Sequence, residues 1–165
     1  MRQRSRAIAR LGVLALFALA IGCDDAALDT VRVCGDLRVP AEFVALRVTV
    51  LSIGDGQLDE RTGGAIVLAD EEADDNATSV KQLPVEVGVA AISGARVFRV
   101  QALGRDGNEV GRSEVLVAGS PSDPVVVNLS RACLGFVCPL GQTCDDGACI
   151  VTPAASSACL TPKGP

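Results

Sequence analysis

Seven cysteines are the residues of this chain best equipped for chemistry: Cys23, Cys34, Cys133, Cys138, Cys144, Cys149 and Cys159. A cysteine can carry an acyl group, ligate a metal as thiolate, exchange electrons or form a disulfide. Spacing selects among these. No two cysteines are separated by two residues, which argues against a thioredoxin-like redox pair. The intervals Cys133–Cys138 and Cys144–Cys149 could frame a zinc site, but the chain has no histidine to share it. The same absence excludes Ser-His-Asp and Cys-His catalysis and every His-ligated metal centre. Twenty acidic residues offer carboxylate pairs, yet none is marked by its surroundings, and four Phe with no Trp or Tyr make a poor sugar cleft. The chain reads as non-catalytic, with no cofactor and no metal.

Cys23 stands apart from the other six. Arg2, Arg4, Arg6 and Arg10 precede an uncharged run of eleven residues, Leu11 to Ile21, and then Gly22. A basic start, a short apolar stretch and small residues before a cut describe a secretory signal over residues 1–22. Eleven residues are too few to span a bilayer, which takes roughly 20. Leu19-Ala20-Ile21-Gly22-Cys23 resembles the lipobox of bacterial lipoproteins, with Ala20 where that pattern prefers leucine. The resemblance implies cleavage before Cys23, a diacylglycerol thioether on its sulfur and an acylated amino group (palmitate or similar). Two such chains hold a protein stably on a membrane.

Reserving Cys23 for lipid leaves an even set of six. In an exported chain these read as three disulfides, with fifteen possible pairings. Every partner available to Cys34 lies about 100 residues later by count, so its bridge joins the start of the domain to its end. Removing the signal also takes four arginines, shifting the formal net charge from −5 to −9. Nucleic acid is therefore an unsuitable partner, because its phosphates call for a basic surface.

The elements that position these cysteines are strands. Residues 23–30 read as a short tether. Val44, Leu46, Val48 and Val50 recur with period two, as do Phe98, Val100 and Ala102. Further strands are expected at Ala65–Leu68, Gln82–Val89 (an edge, or bulged near Pro84), Glu109–Val117 and Val125–Leu129. Gly54-Asp55-Gly56 and Arg105-Asp106-Gly107-Asn108 mark turns, the second closing a hairpin. The pattern predicts an all-β fold over residues 31–131. It is expected to be an antiparallel β-sandwich, immunoglobulin-like or related, with aliphatic rows inward and Arg, Gln and Glu rows in water. Residues 132–165 form a disulfide-rich C-terminal appendage too short for a core. Its segment 150–158 is expected to be flexible.

One acidic run, Asp70-Glu71-Glu72-Ala73-Asp74-Asp75-Asn76, could offer oxygens to calcium. It lacks the alternating aspartates and glycine of the known loop, so a solvated loop is the simpler reading. Gly54-Asp55-Gly56 with Asp59 and Glu60 is weaker still.

Val31-Arg-Val-Cys34-Gly-Asp-Leu-Arg-Val-Pro40-Ala-Glu42 and Cys138-Pro-Leu-Gly141-Gln-Thr-Cys144-Asp-Asp-Gly147-Ala-Cys149 resemble uncharacterised lipoproteins of myxobacteria. The resemblance implies an envelope lipoprotein with a β-sandwich and a cysteine-rich end, and it implies no activity. The function expected is a lipid-anchored, non-catalytic module that binds or scaffolds an envelope protein. The alternative is a calcium- or glycan-binding lipoprotein using Asp70–Asn76. Either membrane could hold Cys23.

Overall fold

The computed structural model describes residues 27–54, 57–69, 80–119, 121 and 123–160. Seven strands form the body: β1 (Leu28–Gly35), β2 (Ala45–Gly54), β3 (Gln57–Val67), β4 (Val85–Ala90), β5 (Arg96–Leu103), β6 (Glu109–Val117) and β7 (Val125–Leu129). One sheet has the order β4-β1-β7, the other β3-β2-β5-β6. The two pack face to face as a sandwich. Its core is apolar and mostly aliphatic: Val31, Val33 and Val127 of the first sheet meet Leu46, Val48, Val50, Phe98, Val100 and Ala102 of the second. Cross-strand register explains why the rows coincide, since Leu46 pairs with Ala102, Val48 with Val100 and Val50 with Phe98. Residues directly opposite one another share a sheet face, so two period-two rows merge into one apolar surface.

Several elements depart from the expected pattern. The tether is shorter than residues 23–30, because Leu28, Asp29 and Thr30 already pair with Ala90, Val89 and Gly88. Cys34 lies within this first strand. The sandwich is not wholly antiparallel, since β1 runs parallel to β7. The expected strand at 65–68 is the end of an eleven-residue strand, β3, paired along its length with β2. Its polar stretch Asp59–Thr62 hid it from a hydrophobic pattern. An edge strand needs only one partner and no buried face, and the irregular register between Val50 and Leu51 suits an edge. Pro84 does precede an edge strand, β4.

The two sides of the sandwich close differently. On one side β3 and β4 approach through glycine: a Cβ on Gly64 would stand 3.1 Å from the Gly88 carbonyl oxygen. On the other, β6 and β7 are free edges of separate sheets. The C-terminal segment fills that side.

The β5–β6 hairpin turns at Gly104–Asn108, where the Gly104 N–H donates to the Asn108 carbonyl at 2.8 Å. At its base, Glu109 accepts from the Gln101 amide and from Arg112 at 2.9 Å. Burial alone would raise the Glu109 carboxyl. The bonds from Arg112 and Gln101, with the charges of Arg112 and Arg99, outweigh it and hold the carboxyl below its ordinary 4.5. A depressed folded value means this contribution is present above about pH 4.5 and is lost as pH falls through the folded value. Stability against urea should therefore drop more steeply on acidification below about pH 4.5 in wild type than in Glu109→Gln. Identical pH profiles would contradict that role.

Candidate functional site

The C-terminal segment cannot fold around a core, so cross-links and borrowed contacts shape it. It begins with a single 3₁₀ turn, Arg131–Cys133, whose Ala132 N–H donates to the Ser130 hydroxyl at 3.2 Å. Arg131 ties this root to the sandwich. Its N–H donates to Asp36 at 2.6 Å and its guanidinium pairs with Glu42 at 2.6 Å. The chain then crosses to β6, where the Gly135 N–H reaches the Val110 carbonyl at 2.8 Å.

A hairpin follows, β8 (Gln142–Asp145) with β9 (Ala148–Val151). Asp146 and Gly147 between them both have positive φ, 47° and 79°, the backbone that a two-residue hairpin turn of matching twist requires. Disulfides Cys133–Cys144 and Cys138–Cys149 each span eleven residues and hold the hairpin to the segment before it. The side of β8 facing the sandwich carries Thr143. Its hydroxyl accepts from the Glu114 N–H at 2.8 Å, and it is buried.

Residues 150–158 are not a loose spacer. The Leu116 N–H donates to the Pro153 carbonyl at 2.7 Å, and the Ala155 N–H returns to Leu116 at 2.9 Å. Ala154 bridges to Leu116 of β6, and Ser156 to Val126 of β7. This segment lies between the free edges of the two sheets and covers both, with Ala155 against the core. Cys159 then bonds Cys34 across 125 residues, and the Leu160 N–H donates to Asn128 at 3.0 Å. The appendage expected from sequence is thus the element that closes the sandwich. All six described cysteines are in disulfides, so none of these six offers a thiolate to zinc.

Two surface features result. An open groove of about 400 Å³ lies between the hairpin and the Gly35 end of β1, lined by Asp36, Asn128, Leu129, Asp145, Asp146 and Leu160. The cysteine-rich segment also carries exposed apolar side chains: Phe136, Val137, Leu140, Ile150 and Val151, with Val137 and Val151 each 77% exposed. Register places Val151 on the hairpin face of Cys149, because neighbours two apart share a face. Cys149 is bonded to Cys138, which Val137 adjoins and Leu140 follows by two. Val137, Leu140 and Val151 thus lie within two residues of the cysteines of one bridge. Exposed large apolar residues of the described sandwich strands, Leu28, Ile53 and Val67, are on separate strands.

Two buried ionic contacts escaped the sequence reading, which placed the Arg and Glu rows in water. Arg96 is 1% exposed and pairs with Asp29 at 2.8 Å. Glu114 is 2% exposed and accepts from Arg99 at 2.7 Å. Period-two alternation did point Arg99 and Glu114 away from the inner rows; the hairpin packed on β6 is what covers them. No sequence signal marks Asp29, which follows two other aspartates in an acidic stretch.

The remaining candidates divide simply. Cys23 and the acidic run Asp70–Asn76 lie outside the described residues. Gly54 ends β2, and Asp59 forms an exposed ion pair with Arg61 at 3.7 Å. Among the described residues no three Asp, Glu or Cys side chains converge as metal ligands. No helix of the described residues is long and apolar enough to cross a membrane. No protein-family model, curated protein or solved structure matches this chain.

The three disulfides fit a chain that folds outside the reducing cytoplasm. Chemically, the hairpin surface offers rigid apolar contact beside carboxylates. Large exposed apolar clusters on a folded protein mark contact surfaces.

Proposed function

We propose that this protein is a lipid-anchored, non-catalytic module of the bacterial envelope that binds or scaffolds another protein. The observation that carries the reading is the concentration of exposed apolar side chains in the hairpin and the segment before it, which two disulfides hold together. Rigidity matters because a preordered surface loses little entropy on binding. The anchor is Cys23, on the strength of the basic and apolar stretches before it. The membrane held through that lipid and an envelope protein are its partners.

The full chain, expressed in a bacterial host, should incorporate labelled palmitate and enter the detergent phase on partition. Cys23→Ser should do neither. A photo-crosslinking residue at Val151 should give discrete protein adducts in intact cells. Absence of adducts from Val151 and from a panel of exposed sandwich positions would overturn the protein-binding reading. A calcium-dependent rise in the unfolding midpoint would favour a ligand-binding role instead, since a ligand of the native state must stabilise it.

A further inference from the structure

The hairpin surface also carries information about its partner, and this inference rests on the protein-binding reading above. Residues 132–160 contain no Lys or Arg, and their two charges are Asp145 and Asp146. Both line the groove, opposite Asp36. The groove floor is not purely polar, because Leu129, Leu160 and the Cys133–Cys144 bridge contribute to it. Exposed apolar side chains and a groove whose charged lining residues are all acidic therefore share this hairpin.

Two kinds of surface could cover such a patch, a membrane or a protein. Charge disfavours the first, because anionic headgroups repel carboxylates and attract the basic residues that this segment lacks. For the groove, position disfavours it as well. The chain enters the sandwich from Cys23 at Leu28, whereas Asp36 and Leu129 lie at the Gly35 end of the eight-residue strand. That strand is about 26 Å long at roughly 3.3 Å per residue. Four residues lie between Cys23 and Leu28, and the five steps that join them reach at most about 18 Å. The groove and the root of the hairpin are thus held at the end of the domain away from the anchor.

We infer that the β8–β9 hairpin and the groove beside it form a docking surface for a protein segment that combines apolar side chains with Lys or Arg. The apolar residues cover Val137, Leu140 and Val151, and the cation enters the groove between Asp36 and the Asp145–Asp146 turn. Charge complementarity of this kind selects the partner and its register, while the apolar contact supplies most of the affinity.

The test uses the mature, oxidised chain against a library of displayed random peptides, with binding of selected peptides measured at low and high salt. Selected peptides should combine Lys or Arg with apolar residues. Leu140→Asp and Val151→Asp should each weaken them about tenfold or more. Asp145→Asn with Asp146→Asn should weaken them about fivefold at low salt and flatten the salt dependence. Asparagine tolerates the positive φ at position 146, so this variant keeps the turn. Unchanged unfolding midpoints and protected thiols establish that each variant is folded; for any that is not, Leu140→Ser and Val151→Ser serve instead. Leu28→Asp, at the opposite end, should leave binding unchanged. Selected peptides that ignore the hairpin substitutions, or lack basic residues, would overturn this assignment while leaving a protein-binding role intact. Failure to select any peptide, with no cellular crosslinks, would overturn both. Binding to phosphatidylglycerol–phosphatidylethanolamine vesicles that Val151→Asp abolishes would make the surface a membrane contact and also overturn it.

Discussion

Replacing Cys34 and Cys159 together by serine is expected to lower the free energy of unfolding by about 4–5 kcal/mol. The bridge closes a loop of 125 residues in sequence. By the chain-entropy account a loop of about 100 residues is worth about 4.7 kcal/mol, and the dependence on length beyond that is slow. For a domain of this size the midpoint of thermal unfolding should fall by about 15 °C. The effect should not stay local. Cys159 ends the segment that bonds to Leu116 and bridges Val126, so its release uncovers the edges of both sheets. Amide hydrogen exchange at Leu116 and Ala155 should accelerate first, because the bonds there have few neighbours to hold them. The Cys138–Cys149 hairpin should keep its own bridges. An unchanged midpoint would show that the tail merely decorates the sandwich.

Arg96→Met is expected to cost about 3–5 kcal/mol, because it leaves the Asp29 carboxylate buried without its partner. The arrangement is specific. Arg96 donates to Asp29 at 2.8 Å and to the carbonyls of Gly94 and Gly119 at 3.0 and 2.6 Å. Its guanidinium also lies 5.5 Å from the centre of the Phe98 ring. Asp29 belongs to one sheet and Arg96 to the other, so the pair clamps the sandwich where the chain enters it. Adding Asp29→Leu should recover most of the loss, since well-packed apolar residues replace buried ion pairs at little cost. The carbonyls of Gly94 and Gly119 belong to exposed residues and can turn to water. A double-mutant cycle in urea measures the coupling. A loss of about 1 kcal/mol or less, the value of an exposed pair, would contradict this role.

These two sites show why some features were legible in sequence and others were not. The rows Leu46, Val48, Val50 and Phe98, Val100, Ala102 announced themselves by period two, because each strand must turn one face to the core. The turn Arg105-Asp106-Gly107-Asn108 was equally plain, since few residues other than glycine accept the positive φ that Gly107 adopts. Strand β3 was mostly missed because an edge strand needs little apolar character. Asp29 was read as tether because a buried aspartate resembles a solvated one until its arginine is located. Glu114 was placed in water because its strand faces it outward. Only the hairpin arriving from 29 positions later, with Thr143 bonded to its N–H, makes that outward face an interior.

The cysteines divide along the same line. Sequence alone determined that six of them form an even set, that Cys34 must reach a partner in the tail, and that no histidine is available for the commonest catalysis. Those conclusions depend on residue type and count. The choice of Cys159 for Cys34, and the use of the tail as the closure between β6 and β7, were decided by tertiary structure. A disulfide requires two Cα atoms within about 4.4–6.8 Å, and the chain meets that condition at 5.7 Å for Cys34 and Cys159. Which segments come that close depends on how the two sheets leave their edges open, and no local pattern of residues contains that information.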